Sequence, residues 1–252
     1  MRELTLTALP GIPEVTAGTD LAALLLEALA RAGRRLESGD VLVIAQKIVS
    51  KAEGRAVRLA EVVPSAAAQE LARQAERDPR WVELILRESR EVRRVKPGVL
   101  IVEHRLGFVM ASAGIDQSNV SGDDGTALLL PEDPDASARR IRDALIRSTA
   151  ADVGVVINDS FGRAWRNGVT GVSIGVAGIP ALVDLRGHAD RAGRALKVTQ
   201  VAAADEIASA ASLLMGQAAE GLPVVLARGF PYERRAGAAA ELVRPRAEDL
   251  FR

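Results

Sequence analysis

Nine residues, Asn158-Asp159-Ser160-Phe161-Gly162-Arg163-Ala164-Trp165-Arg166, read as a loop that sets a carboxylate, a hydroxyl and two guanidinium groups directly after the β-branched run 153–157. A carboxylate beside neutral oxygen donors suits a hard cation such as Mg²⁺, which binds through one or two protein carboxylates plus substrate phosphates. Arg163 and Arg166 are suited to anionic oxygens. Asp159 at the end of a buried strand therefore reads as functional. A second acidic stretch, Ala113-Gly114-Ile115-Asp116-Gln117-Ser118-Asn119, is followed by Gly122-Asp123-Asp124-Gly125. Asp123 and Asp124, flanked by glycine, read as a turn, because short polar side chains bend loops everywhere. Lys47 and Lys51 lie one turn apart if their segment is helical, and lysines hold phosphates as point charges. Lysines are common on surfaces, so these two carry little weight alone. Neither a G-x-x-x-x-G-K-[ST] loop nor a G-x-G-x-x-G turn is present. His104 and His188 lack triad partners and read as ordinary surface or loop residues. From the residues alone the reading is metal-dependent phosphate chemistry.

The elements that position these groups follow from periodicity. Leu4, Leu6 and Ala8 alternate with threonines as a half-buried strand ending at Pro10-Gly11. Residues 20–32 have helical spacing, with Thr19 as the expected cap and Gly33 as the stop. Val41–Ala45 is a buried strand running into Gln46–Lys51, and Leu100–Val102 with Phe108–Met110 form a hairpin turning at Gly107. Helices are expected over 65–77, 79–90, 135–149 and 203–219, the last with Ile207, Ala211, Leu214 and Ala218 on its apolar face. Strands are expected over Val153–Ile157 and Pro223–Ala227. The irregular mixture predicts an α+β fold with largely antiparallel sheets, undivided over residues 1–252. In Gly171–Ala177 small residues alternate with β-branched ones, giving a strand with one bare face. That face lets a ligand approach, or packs tightly on a neighbouring subunit; the pattern does not choose.

Composition removes several classes of function. Thirty-three basic residues balance 33 acidic ones, so no net field draws the chain to nucleic acid or an anionic membrane. Aromatics are only 3%, too few for a base-stacking surface. Without cysteine there is no disulfide, thiolate metal site or cysteine nucleophile. No apolar run reaches the roughly 18 residues of a membrane span, and the N-terminus lacks a signal-peptide core, so a cytoplasmic enzyme is expected.

Several segments together resemble the coenzyme F420-0:γ-glutamyl ligase family. These are Leu9-Pro10-Gly11-Ile12-Pro13, residues 45–54, residues 113–119, Leu130-Pro131-Glu132-Asp133-Pro134-Asp135, residues 158–166 and Met215-Gly216-Gln217-Ala218-Ala219-Glu220-Gly221. They occur in order and span nearly the whole chain. The resemblance implies an enzyme that uses GTP to add L-glutamate to F420-0, a deazaflavin precursor ending in a phospholactate carboxylate, and in some members to extend a γ-linked tail. It implies an intertwined homodimer. Asp116 and Asp159 resemble ligands of one divalent ion, Mg²⁺ or Mn²⁺, and Ser160 and Gln217 ligands of a second; K⁺ is a further cation it admits. GTP contacts would fall on Leu9, Pro10, Gly11, Ile12, Gln46, Lys47, Lys51, Asn119, and on Met215, Gly216, Gln217, Ala218, Ala219, Glu220, Gly221 and Leu222. Ser160 stands where threonine is frequent, keeping the oxygen; Ala164 stands where proline is frequent, removing no ligand. Some relatives continue into a nitroreductase-like flavin domain, which this chain is not expected to carry.

The implied mechanism is activation of a carboxylate as an acyl phosphate, followed by attack of the glutamate amine, with no protein nucleophile. Arg163 and Arg166 would hold an anionic oxygen of one of the reactants. Two other readings use the same residues: a metal-dependent phosphohydrolase or kinase, and a nucleotide-binding protein without turnover.

Overall fold

A computed structural model of the chain describes residues 2–116 and 125–249. Its centre is a five-stranded sheet in the order β1-β12-β2-β8-β9, made of β1 (Thr5–Ala8), β12 (Val224–Arg228), β2 (Val41–Ala45), β8 (Gly154–Arg163) and β9 (Arg166–Ala177). Only β2 and β8 pair in parallel; every other neighbour is antiparallel. The fold is α+β, as the sequence predicts.

Both faces of this sheet are covered, so its central strands are apolar throughout instead of alternating. Leu42, Ile44, Val155 and Ile157 pack towards α1 (Leu21–Arg31) and α5 (Pro134–Thr149), whereas Val41, Val43 and Val156 pack towards α6 (Ala203–Met215). The cap of α1 is Asp20, which accepts from the Ala23 N–H, and not Thr19, whose hydroxyl bonds back to Thr16. An aspartate oxygen satisfies an orphan N–H and also answers the positive helix end.

Inserted between β2 and β8 is a second layered unit. It follows α2 (Gln46–Ala52) and β3 (Ala56–Arg58), and contains α3 (Ala66–Ala75), α4 (Pro79–Arg87), β4 (Ser89–Lys96), β5 (Val99–His104), β6 (Val109–Ala111) and β7 (Thr126–Leu128). Trp81, Val82 and Ile85 of α4 pack with Leu100 and Val102 of β5. The helix expected over 79–90 stops at Arg87, and Ser89 already opens β4, paired with β5. The Gly107 turn lies as expected, at φ 93°. A two-stranded piece, β10 (Val183–Asp184) with β11 (Gln200–Val201), precedes α6.

Three further expectations are corrected. α6 ends at Met215 because Gly216 takes φ 71°; Leu214 is part-exposed and Ala218 lies outside the helix. The stretch from Asn158 to Arg166 is not a loop: β8 continues through it to Arg163 and turns at Ala164-Trp165 into β9. His104 is fully buried, facing Glu88 at 3.5 Å.

The bare face of β9 is filled by this chain itself. A Cβ on Gly171 would lie within 2.5 Å of the Ala208 carbonyl oxygen of α6, and one on Gly175 within 2.5 Å of the Pro134 carbonyl oxygen of α5. The two glycines face opposite helices because β9 bulges: Ile157 pairs with Gly175 and Asn158 with Ser173, leaving Ile174 extra. The small residues let two helices of the same chain approach, so they do not mark a subunit contact.

Candidate active site

β2 and β8 are parallel, and their carboxyl ends lie side by side, with Ala45 opposite Asn158. There β2 stops and turns directly into α2, so β8 has no strand neighbour on that side beyond Asn158. Residues 159–162 form the wall of an opening outside the carboxyl ends of two parallel strands, a position that open sheets use for ligands. Alternation sends Asp159 to the α1 and α5 side and Ser160 to the α6 side.

Two adjoining cavities meet at this wall. The larger, about 590 Å³, runs from Ile12–Val15 past Lys51 to Met215–Ala218 and Gly221–Pro223. The smaller, about 310 Å³, is lined by Met110, Gly114, Ile115, Asp116, Phe161 and Gly162 among others. Gln46, Lys47, Asp159, Ser160 and Gln217 border both.

The polar contacts at the wall are short. Lys47 Nζ stands 2.5 Å from Asp116 Oδ2, and the Ser160 hydroxyl donates to Gln217 Oε1 at 2.9 Å. Gln46 Oε1 accepts from Ser50 at 2.8 Å, which fixes the first turn of α2. Lys51 Nζ lies 3.5 Å from Glu14. Asp159 is ringed by protein atoms although it opens onto both cavities. Burial pushes its carboxyl up to about 7; the Ser160 N–H and Lys47 pull the other way, and the charge of Asp116 adds to the rise. A cation between the two carboxylates would relieve that cost.

The structure thus brings Asp116, Asp159, Ser160, Gln217, Gln46, Lys47 and Lys51 together. Met215, Gly216, Ala218, Gly221 and Leu222 line the larger cavity with Ile12. Leu9 is instead buried in the core, and Pro10, Gly11, Ala219 and Glu220 are not among the lining residues. Glu220 closes the turn by accepting from the Ala218 N–H. Arg163 and Arg166 pair across the exposed tip of the β8–β9 hairpin and are not among the lining residues of either cavity. Asn119, Asp123 and Asp124 lie outside the described residues. One site residue is passed over by the sequence reading. Asn158 donates to Ser212 Oγ at 3.0 Å and to Met215 Sδ at 3.4 Å, and its buried Oδ1 has no donor among the described residues. The signal was a lone amide ending a wholly apolar strand.

Comparison with known proteins identifies the family. Residues 11–229 match the family described as F420-0:Gamma-glutamyl ligase. The coenzyme F420:L-glutamate ligase of Methanothermobacter thermautotrophicus is 47% identical over 251 residues, covering 99% of each chain. That of Methanopyrus kandleri is 48% identical over 243 residues, 95% of this chain and 94% of the relative. That of Archaeoglobus fulgidus is 42% identical over 242 residues, 96% and 94%. The chain belongs to the F420-0:γ-glutamyl ligase family.

For a member of this family the donor set is informative. Among the described residues no group of three or more His, Cys, Asp or Glu side chains could enclose an ion. Two carboxylates, a hydroxyl and an amide oxygen fit a hard cation whose remaining ligands come from water and substrate phosphates. Also among the described residues, no helix is long and apolar enough to cross a membrane.

Proposed function

We propose that this chain is a GTP-dependent ligase that joins the amine of L-glutamate to the carboxylate of F420-0. The observation that carries the reading is the wall of Gln46, Lys47, Asp159, Ser160 and Gln217 between two cavities, with Asp116 paired to Lys47 on the smaller side, in a chain of this family. The relatives are named coenzyme F420:L-glutamate ligases, and near-complete coverage at 47% identity supports carrying glutamate ligation over.

The carboxylate oxygen of F420-0 attacks the γ-phosphorus as the bond to the β,γ-bridging oxygen breaks, and GDP leaves with that electron pair. The glutamate nitrogen then attacks the acyl carbon, the C–O bond to phosphate breaks, and the amine proton passes to solvent. No protein nucleophile is needed, so catalysis is positioning and electrostatics. Lys47 and Lys51 line the larger cavity, where they would meet the triphosphate, and Gln46, locked by Ser50, would border the transfer point. Asp116 and Asp159 would hold one Mg²⁺ or Mn²⁺ and Ser160 and Gln217 a second, and these ions would supply charge neutralisation on the phosphates. A homodimer belongs to this reading, on a surface other than the small-residue face of β9.

The test is GDP release with F420-0 and glutamate supplied singly and together. Release only with both is expected. Equal GTP consumption with F420-0 alone would make the protein a hydrolase, and GTP binding without release under any mixture would make it a non-catalytic binder.

A further inference from the structure

We infer that Asn158 is a positioning residue for the second of the two divalent ions: its amide fixes the last turn of α6 and so keeps Gln217 beside Ser160, at the expense of an unpartnered acceptor in the free protein. The inference rests on the cation sites of the ligase reading and adds to them the group that keeps the second site assembled.

The neighbours of the amide decide which way it is turned. Nδ2 carries two hydrogens and meets two acceptors, Ser212 Oγ at 3.0 Å and Met215 Sδ at 3.4 Å. A thioether sulfur accepts and cannot donate, so turning the amide over would set Oδ1 against an atom that offers it nothing. Oδ1 is therefore left buried with no donor among the described residues. A buried acceptor without a donor destabilises a fold, and a β-branched apolar side chain would suit the strand without that defect. An orphan of this kind needs a reason. The reason lies in what Nδ2 holds.

Asn158 and Ser160 are two residues apart on β8 and both face α6, about 7 Å apart along the strand. Among the described residues they are the β8 side chains bonded to the end of α6. Asn158 holds the last turn, and Ser160 holds Gln217 just beyond it. Gly216, at φ 71°, breaks the helix between these two ties, and the turn that follows closes on itself through Glu220 and the Ala218 N–H. The Ser160 tie does not survive loading. Its 2.9 Å oxygen separation already matches that of two adjacent ligands on an octahedral ion, about 3 Å for bonds of about 2.1 Å. Once Ser160 gives a lone pair to a cation, its hydroxyl hydrogen points away from the ion and off the line to Gln217. Among the described side chains of β8, Asn158 then holds the turn alone.

Manganese binding in the presence of GDP, followed by the paramagnetic resonance signal of the free ion, tests this without turnover. Asn158→Val removes the orphan acceptor and suits the strand, so without metal it should melt at or above the wild-type temperature. It should keep the ion of Asp116 and Asp159 at wild-type affinity. The second ion should bind at least about tenfold more weakly, as is typical when a group that orients a metal ligand is lost. Ser212→Ala should weaken the second ion in the same sense, and the double variant should be no weaker than Asn158→Val, because the two residues share one bond. Two ions bound by Asn158→Val as tightly as by wild type would overturn the inference. Equal weakening of both ions with a lower melting temperature would make Asn158 a general packing residue, and would overturn it too. A wild-type protein that binds one ion or none would remove the cation assignment of the ligase reading itself, and the inference with it.

Discussion

Asp159 concentrates the electrostatics of the site: its carboxyl is pushed up to about 7, and it borders both cavities. Replacing it by asparagine keeps the size and removes the charge that a divalent ion requires. Asp159→Asn is expected to cut glutamate ligation by about a hundredfold or more, with partial rescue by added Mg²⁺. Asp143→Asn, the same chemical change on the exposed face of α5, should leave ligation near normal. Steady-state rates across a metal titration check both, and near-normal ligation by Asp159→Asn would remove the metal assignment for Asp116 and Ser160 as well. At this scale the position of Asp159 and Ser160 was legible, because they directly follow a buried β-branched run and the structure sets both at the cavity wall. The sequence was uninformative for Arg163 and Arg166, because nothing in their spacing shows that β8 runs on and carries them out to a hairpin tip.

Between elements, polar groups do as much positioning as apolar ones. Ser209 and Ser212 of α6 bond to the Gly171 carbonyl and the Asn158 amide, and Asp205 accepts from the Ser173 N–H. Gly171 permits that approach. Gly171→Ala would force α6 away from β8 and β9, an overpacking expected to cost about 1–3 kcal/mol, seen as a lower denaturation midpoint with an unchanged urea slope. A second seam joins the inserted unit to the rest. Glu88, buried at the end of α4, meets Arg55 at 3.0 Å, Arg105 at 3.1 Å and His104 at 3.5 Å. Burial alone would raise its carboxyl; His104 and the two arginines outweigh burial and hold it down at about 2, against an ordinary 4.5. Because the folded pKa is depressed, the stabilisation is complete above about pH 4.5 and is lost as pH falls towards 2. It amounts to about 3 kcal/mol. Glu88→Gln should lower the melting temperature at pH 7 and flatten the acid limb of stability between those values; an unchanged acid limb would contradict the pairing. None of this seam was legible in the sequence, since Arg55, Glu88 and His104 are brought together only by the strand pairing. The β2, α5 and β12 segments were legible because their periodicity or β-branched runs are local, whereas the β9 bulge and the end of α6 at Gly216 depend on tertiary contacts and one backbone angle.

On the scale of the whole molecule, the parallel pair β2–β8 brings residues more than a hundred positions apart to one wall, and α6 delivers Gln217 to the same place. The homodimer that accompanies the ligase reading predicts twice the 26.6 kDa chain mass by light scattering at micromolar concentration; a monomer mass would remove it. The central claim is that this wall activates a carboxylate by phosphoryl transfer so that glutamate can be joined to it. Mass spectrometry of a reaction with F420-0 labelled with oxygen-18 in its carboxylate, GTP, Mg²⁺ and glutamate tests that most directly. The account predicts a product heavier by one glutamyl residue and one labelled oxygen transferred to inorganic phosphate. Labelled F420-0 recovered unchanged beside unlabelled phosphate would contradict it.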